Sequence, residues 1–330
     1  IPGAVFPIVL PSYVFIVGDG PSTSIIDAQG TTRVMEIINT QGNGISDIQI
    51  RGGSYLNNSS EQIYGMEAAG GGIYCENSSP SITNSTIAYN EAVHGGGIFI
   101  SKYSNPYIYN VIIEHNTVIA NTGNSAMGGG VFFTDNATGL LDNVTIRENS
   151  AGIAWINGAT VQVGGGVGCG AVVGEVATPT IINSSINSNT SPSGSSGLFL
   201  INCNAVLDNV DISYNTGRDF SAFYTFNSNL ELSNSRISYN IATGGENLPS
   251  HGTHTIGTST GVDYYNYAKI KNCLITHNQS DNLLYNWNRG NAVYSNLTIT
   301  DNQINYLTYH TRYIIIANSI IWSDPEVIMF

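Results

Sequence analysis

The sequence of 330 residues combines ten Lys and Arg with 23 Asp and Glu, which gives a formal net charge of −13. This charge would repel nucleic acid, whose binding requires a clustered basic surface, so a nucleic-acid partner is excluded. Hydrophobic residues make up 42% of the chain, which is enough for a large core and excludes a disordered chain. No run of 18 apolar residues occurs, and the sequence therefore predicts no transmembrane segment.

The chain begins with the apolar stretch IPGAVFPIVLPSYVFIVG, which no charged segment precedes. Because a signal peptide normally opens with positive charge, we interpret residues 1–330 as a single domain cut from a longer secreted protein. The last residues, VIMF at 327–330, favour the same interpretation, since they have the pattern of a strand without a polar cap.

A seven-residue pattern, Asn-x-x-Ile-x-x-Asn, recurs through most of the chain. The shortest spacings between successive copies, 22 to 26 residues, are too short for a βαβ unit and fit one coil of three short strands. A degenerate copy begins at Asp47, and a last copy, ending in Asp324, begins at Asn318. The complete copies begin at Asn84, Asn110, Asn143, Asn183, Asn209, Asn234, Asn272 and Asn296.

Polarity alternates within each copy, with Ile at the centre and charges only at the intervening positions, as in half-buried strands. Stacking of equivalent positions would place Glu114 against Arg147 and Asp211 against Arg236. The recurrent Asn residues mark turns and are expected to form amide ladders along the axis. A β-sandwich would not need the same residue at the same offset in every copy. The sequence therefore predicts an all-β solenoid, a parallel β-helix of roughly 11–13 coils.

Residues 70–100, GGGIYCENSSPSITNSTIAYNEAVHGGGIFI, resemble the repeats of the pectin-lyase-like superfamily of right-handed parallel β-helices. They are most similar to repeats of secreted bacterial β-helix proteins and of polymorphic outer-membrane proteins. The resemblance extends from about residue 17 to the end, and it implies a right-handed β-helix and export. Since the superfamily includes polysaccharide lyases, glycoside hydrolases, tailspikes and adhesins, the fold does not choose a function.

Long insertions all follow the second Asn of a copy, or its Gly53 counterpart, and span 54–69, 117–127, 150–163 and 241–262. Insertions at one offset gather on one flank of a solenoid, where they would wall a lengthwise groove. Aromatic side chains in such a groove suit sugar rings, although they would equally serve to pin their own loops. The side chains that this interpretation places in the wall are Tyr55, Tyr64, Glu67, Trp155, His251 and His254.

A second set of candidates stands immediately before the second Asn of each copy and is expected to face outward along one edge. Tyr214 and Tyr239 should form a stacked pair there, either as a binding surface or simply as packing between coils. The full column is Tyr89, His115, Glu148, Ser188, Tyr214, Tyr239, His277 and Asp301.

Catalysis has weaker support, because the carboxylates are dispersed whereas glycoside hydrolysis needs two of them close together. Lys269 and Lys271, with Asp263 nearby, are the best candidates for a lyase-type site. His251 and His254 would offer an acid/base pair or metal ligands, but a solvated loop explains them as well. No cofactor is indicated, and calcium binding is left open.

The four cysteines, Cys75, Cys169, Cys203 and Cys273, are expected to be buried free thiols. Cys75 and Cys169 share one column but lie three coils apart, which is too far for a disulfide. No C-x-x-C or paired His/Cys spacing predicts a metal site.

These patterns favour a secreted or cell-surface β-helix protein that binds a polysaccharide or a cell-surface glycan through the loop-walled groove. One alternative is a carbohydrate-active enzyme, a polysaccharide lyase or glycoside hydrolase that uses the same groove. The other is a structural protein, since uncapped solenoid ends expose strand edges that permit end-to-end self-association into filaments.

Overall fold

The computed structural model describes residues 5–56, 68–119, 126–151, 155–156, 159–160, 163–170, 176–192, 194–244, 252–260, 267–287, 291–309 and 314–322. Within these ranges three long parallel sheets, A, B and C, follow one another around each of eleven coils, and a short fourth sheet, D, lies between sheet C and the next strand of sheet A. No helix in the same ranges is long and apolar enough to cross a membrane. The predicted parallel β-helix is confirmed.

Sheet A has eleven described strands in one path, and two short strands, Val163–Gly164 and Gly194–Ser195, pair beside it. In chain order the eleven are Ile8–Val9, Met35–Ile38, Ile73–Glu76, Ile98–Ser101, Val131–Phe133, Val167–Gly170, Leu198–Ile201, Phe220–Phe226, His254–Ser259, Asn282–Trp287 and Tyr306–Tyr309.

Sheet B follows sheet A in every coil. Its described strands are Phe15–Val17, Gly44–Ser46, Ser81–Thr83, Tyr107–Tyr109, Leu140–Asp142, Thr180–Ile182, Asn204–Asp208, Asn229–Ser233, Tyr267–Lys271, Asn291–Ser295 and Ile314–Ala317.

Sheet C begins after a two-residue turn that contains the first Asn of each copy. Its described strands are Ile25–Asp27, Gln49–Arg51, Thr86–Ala88, Ile112–Glu114, Thr145–Arg147, Ser185–Asn187, Asp211–Ser213, Arg236–Ser238, Leu274–Thr276, Thr298–Thr300 and Ile320–Ile321.

Sheet D consists of two-residue strands from which the insertions depart. Those described are Ser54–Tyr55, Glu91–Ala92, Thr117–Val118, Ser150–Ala151, Thr190–Ser191, Thr216–Gly217 and Ile241–Ala242. One insertion carries an antiparallel pair of strands, Trp155–Ile156 and Ala159–Thr160.

Inward side chains form continuous files along the axis, because equivalent residues pair in register. Ile113 pairs with Ile87 on one side and Ile146 on the other, and all three are fully buried. Burying such a side chain contributes about 1.5–3 kcal/mol, so a file repeated over eleven coils is a major source of stability. The register predicted from the repeat is therefore confirmed.

The second Asn of each copy points into the core and forms an interior ladder. The Asn116 side-chain amide donates to Asn149 Oδ1 at 3.0 Å and to the Ile87 carbonyl at 2.9 Å, and the Asn116 backbone N–H donates to the same Oδ1 at 3.0 Å. Buried amides are tolerated here because each one is hydrogen-bonded. The ladder is formed by Asn90, Asn116, Asn149, Asn189, Asn215, Asn240, Asn278 and Asn302.

The first Asn of each copy lies outside, in the left-handed conformation, at the turn between sheets B and C. Asn84 and Asn110 have φ of 50° and 53°, and the Asn110 amide donates to Asn84 Oδ1 at 2.8 Å. Asn tolerates this conformation better than most residues, which explains its recurrence. The two predicted roles of Asn, turn and ladder, are thus confirmed, and the two Asn columns lie on opposite sides of the wall.

Glycines at the start of sheet A make room for the interior ladder. A side chain at Gly97 would put its Cβ 2.5 Å from the Gly130 carbonyl oxygen and 3.0 Å from the Asn116 amide. Only glycine fits this close approach.

The expectation that all four thiols are free is wrong. Cys169 and Cys203 form a disulfide with Cα atoms 6.0 Å apart, whereas Cys75 and Cys273 are free and buried. Cys169 lies opposite Leu200 of the next coil, and Cys203 lies three residues after Leu200, between the strands of sheet A and sheet B. The two cysteines occupy different positions of the repeat, so comparing residues at the same position of successive copies could not reveal the disulfide.

Candidate functional site

The outer surface of sheet C is bordered by two different edges. The outer Asn ladder lies on one side, at the turn from sheet B. On the other side, where the chain turns toward sheet D, lies the column predicted to face outward, which we call the corner file: Tyr89, His115, Glu148, Ser188, Tyr214, Tyr239, His277 and Asp301. The outward side chains of sheet C between these edges form what we call the sheet C face.

Every residue of the corner file has a left-handed backbone, with φ between 53° and 57°. This conformation is uncommon for residues other than glycine and unusual for a bulky side chain; Asn and Asp adopt it more readily. The backbone therefore does not explain why Tyr occurs at three coils and His at two. Their side chains must supply the reason.

The aromatic members of the file stack along the axis. The Tyr214 and Tyr239 ring centroids lie 4.8 Å apart with planes at 2°, and His277 lies 4.7 Å from Tyr239. Tyr89 and His115 form a second stack at 4.9 Å. The predicted Tyr214–Tyr239 pair is confirmed, and each such contact contributes about 0.5–1.5 kcal/mol.

The rings lie close to the sheet C face. His277 Nδ1 is 2.7 Å from Thr276 Oγ1, on the preceding residue. The Arg236 guanidinium donates hydrogen bonds to the Asp211 carboxylate, which raise the pKa of Arg236, and the electrostatic effect of the nearby Tyr214 and Tyr239 phenols raises that pKa further. Four of the five aromatic residues of the file follow a small, buried residue, namely Ala88, Ser213, Ser238 or Thr276, whereas His115 follows Glu114.

Charged groups on the sheet C face are paired between neighbouring coils, as the register predicted. Arg147 Nη2 lies 2.6 Å from Glu114 Oε2, and Arg236 Nη2 lies 2.6 Å from Asp211 Oδ2. Arg51 similarly contacts Asp27 at 2.9 Å. Each arginine on the described strands of sheet C therefore has a carboxylate partner, and none is left to attract an anionic ligand.

A groove of about 700 Å³ runs along the sheet C face beside the outer Asn ladder. Its surface offers amides, hydroxyls and one ion pair next to a few apolar side chains, a mixture that suits a polyhydroxylated ligand. The lining residues are Asn143, Val144, Thr145, Asn183, Ser184, Ser185, Asn209, Val210, Asp211, Asn234, Ser235, Arg236, Asn272 and Leu274.

One cluster, formed by the sheet C residue Glu114 and two residues of the corner file, has the donor atoms of a metal site. Glu114, His115 and Glu148 each present one ligand atom, all within 4.8 Å of one another. His115 Nε2 is 2.8 Å from Glu148 Oε2, while Arg147 holds Glu114. Imidazole and carboxylate ligands would suit a transition metal. Searching for close His/Cys spacing missed the cluster, since its ligands come from two coils.

The groove predicted along the insertions depends on residues of which few are described. Tyr64, Glu67, His251 and Asp263 lie outside the described residues, as does the side chain of Trp155. That groove stays a prediction.

Tyr55 is the described member of the first insertion. It lies in sheet D, where its ring packs 3.9 Å from the Arg33 guanidinium. Arg33 also packs on Tyr74 at 4.4 Å and pairs with Glu36 at 2.9 Å. Tyr55 thus belongs to a packed charged cluster beside sheet A, as expected of a side chain that pins its own loop.

The prediction that His254 lies in a solvated loop is wrong. This histidine is the first residue of a sheet A strand and is fully buried, with its ring 5.1 Å from Phe220 and 4.2 Å from Tyr285. It belongs to an aromatic stripe on the outer face of sheet A that sequence reasoning missed: Tyr74, Phe99, Phe132, Phe199, Tyr224 and Tyr285. The available signal was an aromatic residue two positions after a glycine, which holds for Tyr74, Phe99, Phe132 and Phe199.

Lys269 and Lys271 point outward on sheet B. Lys269 Nζ pairs with Glu231 at 3.2 Å and lies 4.5 Å from the Tyr267 ring centroid, and both lysines are exposed. His254, on sheet A, is not brought to them. The described catalytic candidates therefore do not converge on one site.

Comparisons with known proteins agree with this architecture. A family model described as a right-handed β-helix region matches residues 19–167. The A-module of the Azotobacter vinelandii mannuronan C-5 epimerase AlgE6 is a similar solved structure, with a TM-score of 0.53 and 10% sequence identity over 96% of this chain and 85% of that one. No curated protein matches the sequence. The chain is a right-handed parallel β-helix repeat protein, and at this identity the likeness concerns the fold alone.

Proposed function

We propose that this β-helix binds a polysaccharide along the sheet C face and is exported. The observation that carries the proposal is the stack of Tyr214, Tyr239 and His277. It borders the sheet C face on the side opposite the polar groove, and its backbone conformation does not favour bulky residues. Aromatic rings contact the apolar faces of sugars, while amides and hydroxyls bind their hydroxyl groups.

Geometry supports a polymer rather than a small ligand. Coils repeat about every 4.8 Å along the axis, so the face presents the same kinds of groups at a regular interval. A linear polysaccharide also repeats its hydroxyls and apolar faces at a regular interval. The solved structure of similar fold is named as an epimerase of mannuronan, a polysaccharide, which is compatible with carbohydrate contact on this architecture.

Pairing of charges favours an uncharged polymer. The arginines of the face are neutralised by carboxylates one coil away, and the chain carries a formal net charge of −13. An anionic polysaccharide would meet general repulsion without a free cation on this face to offset it.

The buried Cys169–Cys203 bond supports export, because disulfides persist mainly in oxidising compartments. Alkylation of the unfolded, unreduced protein should modify two thiols, whereas modification of all four would count against this part of the proposal.

The binding test uses affinity electrophoresis through gels containing glucomannan, xyloglucan, dextran or polygalacturonate. We expect retardation in at least one uncharged polymer, and the double variant Tyr214→Ala/Tyr239→Ala should weaken it about tenfold or more. Tyr103→Ala is the matched control, since Tyr103 is also exposed and left-handed but precedes sheet B instead of sheet D. Unchanged binding in the double variant would refute the assignment to this face.

Catalysis is tested in the same panel. Incubation with each polymer, followed by assays of reducing ends and of unsaturated products, detects hydrolase or lyase activity. Because the described catalytic candidates are separated, we expect neither product to accumulate.

A further inference from the structure

The corner file contains one break in its row of large side chains. Arg147, Asn187 and Ser213 pair in register on three successive coils, so the residues that follow them, Glu148, Ser188 and Tyr214, are successive members of the file. Ser188 is the smallest of the eight.

The break leaves one face of the Tyr214 ring without an aromatic neighbour in the file. Tyr239 has a ring on both sides, Tyr214 and His277, and is 37% exposed, whereas Tyr214 is 54% exposed. On the preceding coil, the position equivalent to Tyr89 is Gly52, which has no ring, and Tyr89 is 58% exposed. Higher exposure thus accompanies an uncovered ring face.

Because Ser188 is small, the side chains of Glu148 and Tyr214 on the two neighbouring coils have room for one ring between them. Glu148 and Tyr214 are two coil steps apart, roughly 9–10 Å, and a ring stacked between them would occupy the position that a side chain fills elsewhere in the file. Its inner surface is the strand Ser185–Asn187, where the Asn187 amide donates to Ser185 Oγ at 2.6 Å.

The walls of this space differ in chemistry. Tyr214 offers an aromatic face, and Glu148 offers a partly exposed carboxylate that also contacts His115 at 2.8 Å. The carboxylate of Asp211, next to Ser185, is held by Arg236 of the next coil. An aromatic face opposite hydrogen-bond acceptors suits a pyranose ring, with its apolar side on Tyr214 and its hydroxyls donating to Glu148. The Glu148 carboxylate disfavours a ring that carries its own carboxylate, because like charges repel.

We propose that Ser188 opens a slot that takes one uncharged pyranose ring of the bound polysaccharide. This inference rests on the proposed binding function and names one subsite of it. A larger side chain at position 188 would stack on Tyr214 and stabilise the fold, as Tyr239 and His277 do on their coils. The serine leaves this stabilisation unused and keeps the slot open.

Filling the slot is the direct test. Ser188→Tyr should complete the stack and keep or raise the Tm. Its affinity for the uncharged polymer that retards the wild type should fall about tenfold. The matched control, Asp301→Tyr, adds a ring on the far side of His277 without entering the slot, and it should bind as the wild type does. Wild-type affinity in a folded Ser188→Tyr variant would overturn the inference.

A second route blocks the slot after folding. Ser188→Cys should bind normally and lose affinity about tenfold when N-ethylmaleimide modifies the new thiol. The native thiols Cys75 and Cys273 are buried, which raises their pKa values to about 12 and about 11, so they stay unmodified in the folded protein. Unchanged binding after complete modification would again overturn the slot.

The two proposals fail in different ways. If the wild type binds no polymer, or the Tyr214→Ala/Tyr239→Ala variant binds normally, the proposed function fails. If that double variant loses binding while both blocked forms of position 188 keep it, the sheet C face stands and the slot is refuted.

Discussion

Two adjacent columns of the repeat, the interior Asn ladder and the corner file, differ in how much they vary. Asn90 and Tyr89 are neighbours in sequence, yet Asn90 is buried and fully hydrogen-bonded whereas Tyr89 is exposed. In the eight complete copies the interior position is always Asn, while the file position is Tyr, His, Glu, Ser or Asp. The interior column is restricted by hydrogen bonds, and the outer one is free to acquire a function.

The largest expected effect breaks the interior ladder. Asn149→Ala would leave the Asn116 backbone and side-chain N–H groups and the Ile113 carbonyl without their partner. Because unsatisfied buried groups cost about 1–3 kcal/mol each, we expect a loss of about 3–5 kcal/mol in the free energy of unfolding, measured by urea denaturation.

The matched control is Asn143→Gly in the outer ladder. It removes an exposed amide while glycine keeps the left-handed backbone, so it should cost less than about 1 kcal/mol. Equal losses in the two variants would contradict the contrast between the columns.

A pH dependence distinguishes an enclosed histidine from an exposed one. Desolvation lowers the pKa of His94 to about 4, and its ring packs 5.2 Å from Phe132. Since the folded state favours the neutral ring, its contribution is complete above the unfolded pKa of about 6.5 and is lost as pH falls toward 4, by up to about 3 kcal/mol. His94→Phe should flatten unfolding free energy against pH over this window.

His115→Gln is the comparison for that profile. His115 lies in the corner file beside Glu148, partly open to solvent, and its replacement should leave most of the acid destabilisation in place. If His115→Gln flattens the dependence of the unfolding free energy on pH and His94→Phe does not, the acid destabilisation comes from His115 and not from His94.

A smaller effect is expected in the file itself. Tyr239→Ala removes two ring contacts, with Tyr214 and His277, and should lower the free energy of unfolding by about 1–2 kcal/mol. A loss as large as that of Asn149→Ala, measured in the same denaturation series, would mean that the file is part of the structural framework.

The smallest effect concerns the charge pairs of the sheet C face. Arg236→Met breaks the exposed pair with Asp211 and should change the free energy of unfolding by less than about 1 kcal/mol. The thermal midpoint at low and at high salt measures this, and a larger, salt-insensitive loss would show that the pair is structural.

Features that run along the axis could be predicted from the sequence. Parallel stacking keeps equivalent offsets in contact, so the Ile file, the Arg147–Glu114 and Arg236–Asp211 pairs and the Tyr214–Tyr239 stack followed from the repeat alone. The same rule placed the corner file on the outside.

Features that link different offsets could not be predicted in this way. The Cys169–Cys203 bond and the burial of His254 depend on how the chain turns between sheets, which the repeat does not specify. The Glu114–His115–Glu148 cluster combines a sheet position with a corner position on the next coil. Insertions interrupt the repeat, so the sequence offers no register for their side chains.

The most direct measurement is a crystal structure of the protein soaked with an oligosaccharide of the polymer that it binds. We expect sugar density along sheet C, with one ring against Tyr214 next to Ser188. Density confined to the insertion flank or to the outer face of sheet A, with the Tyr214 ring uncontacted, would contradict it.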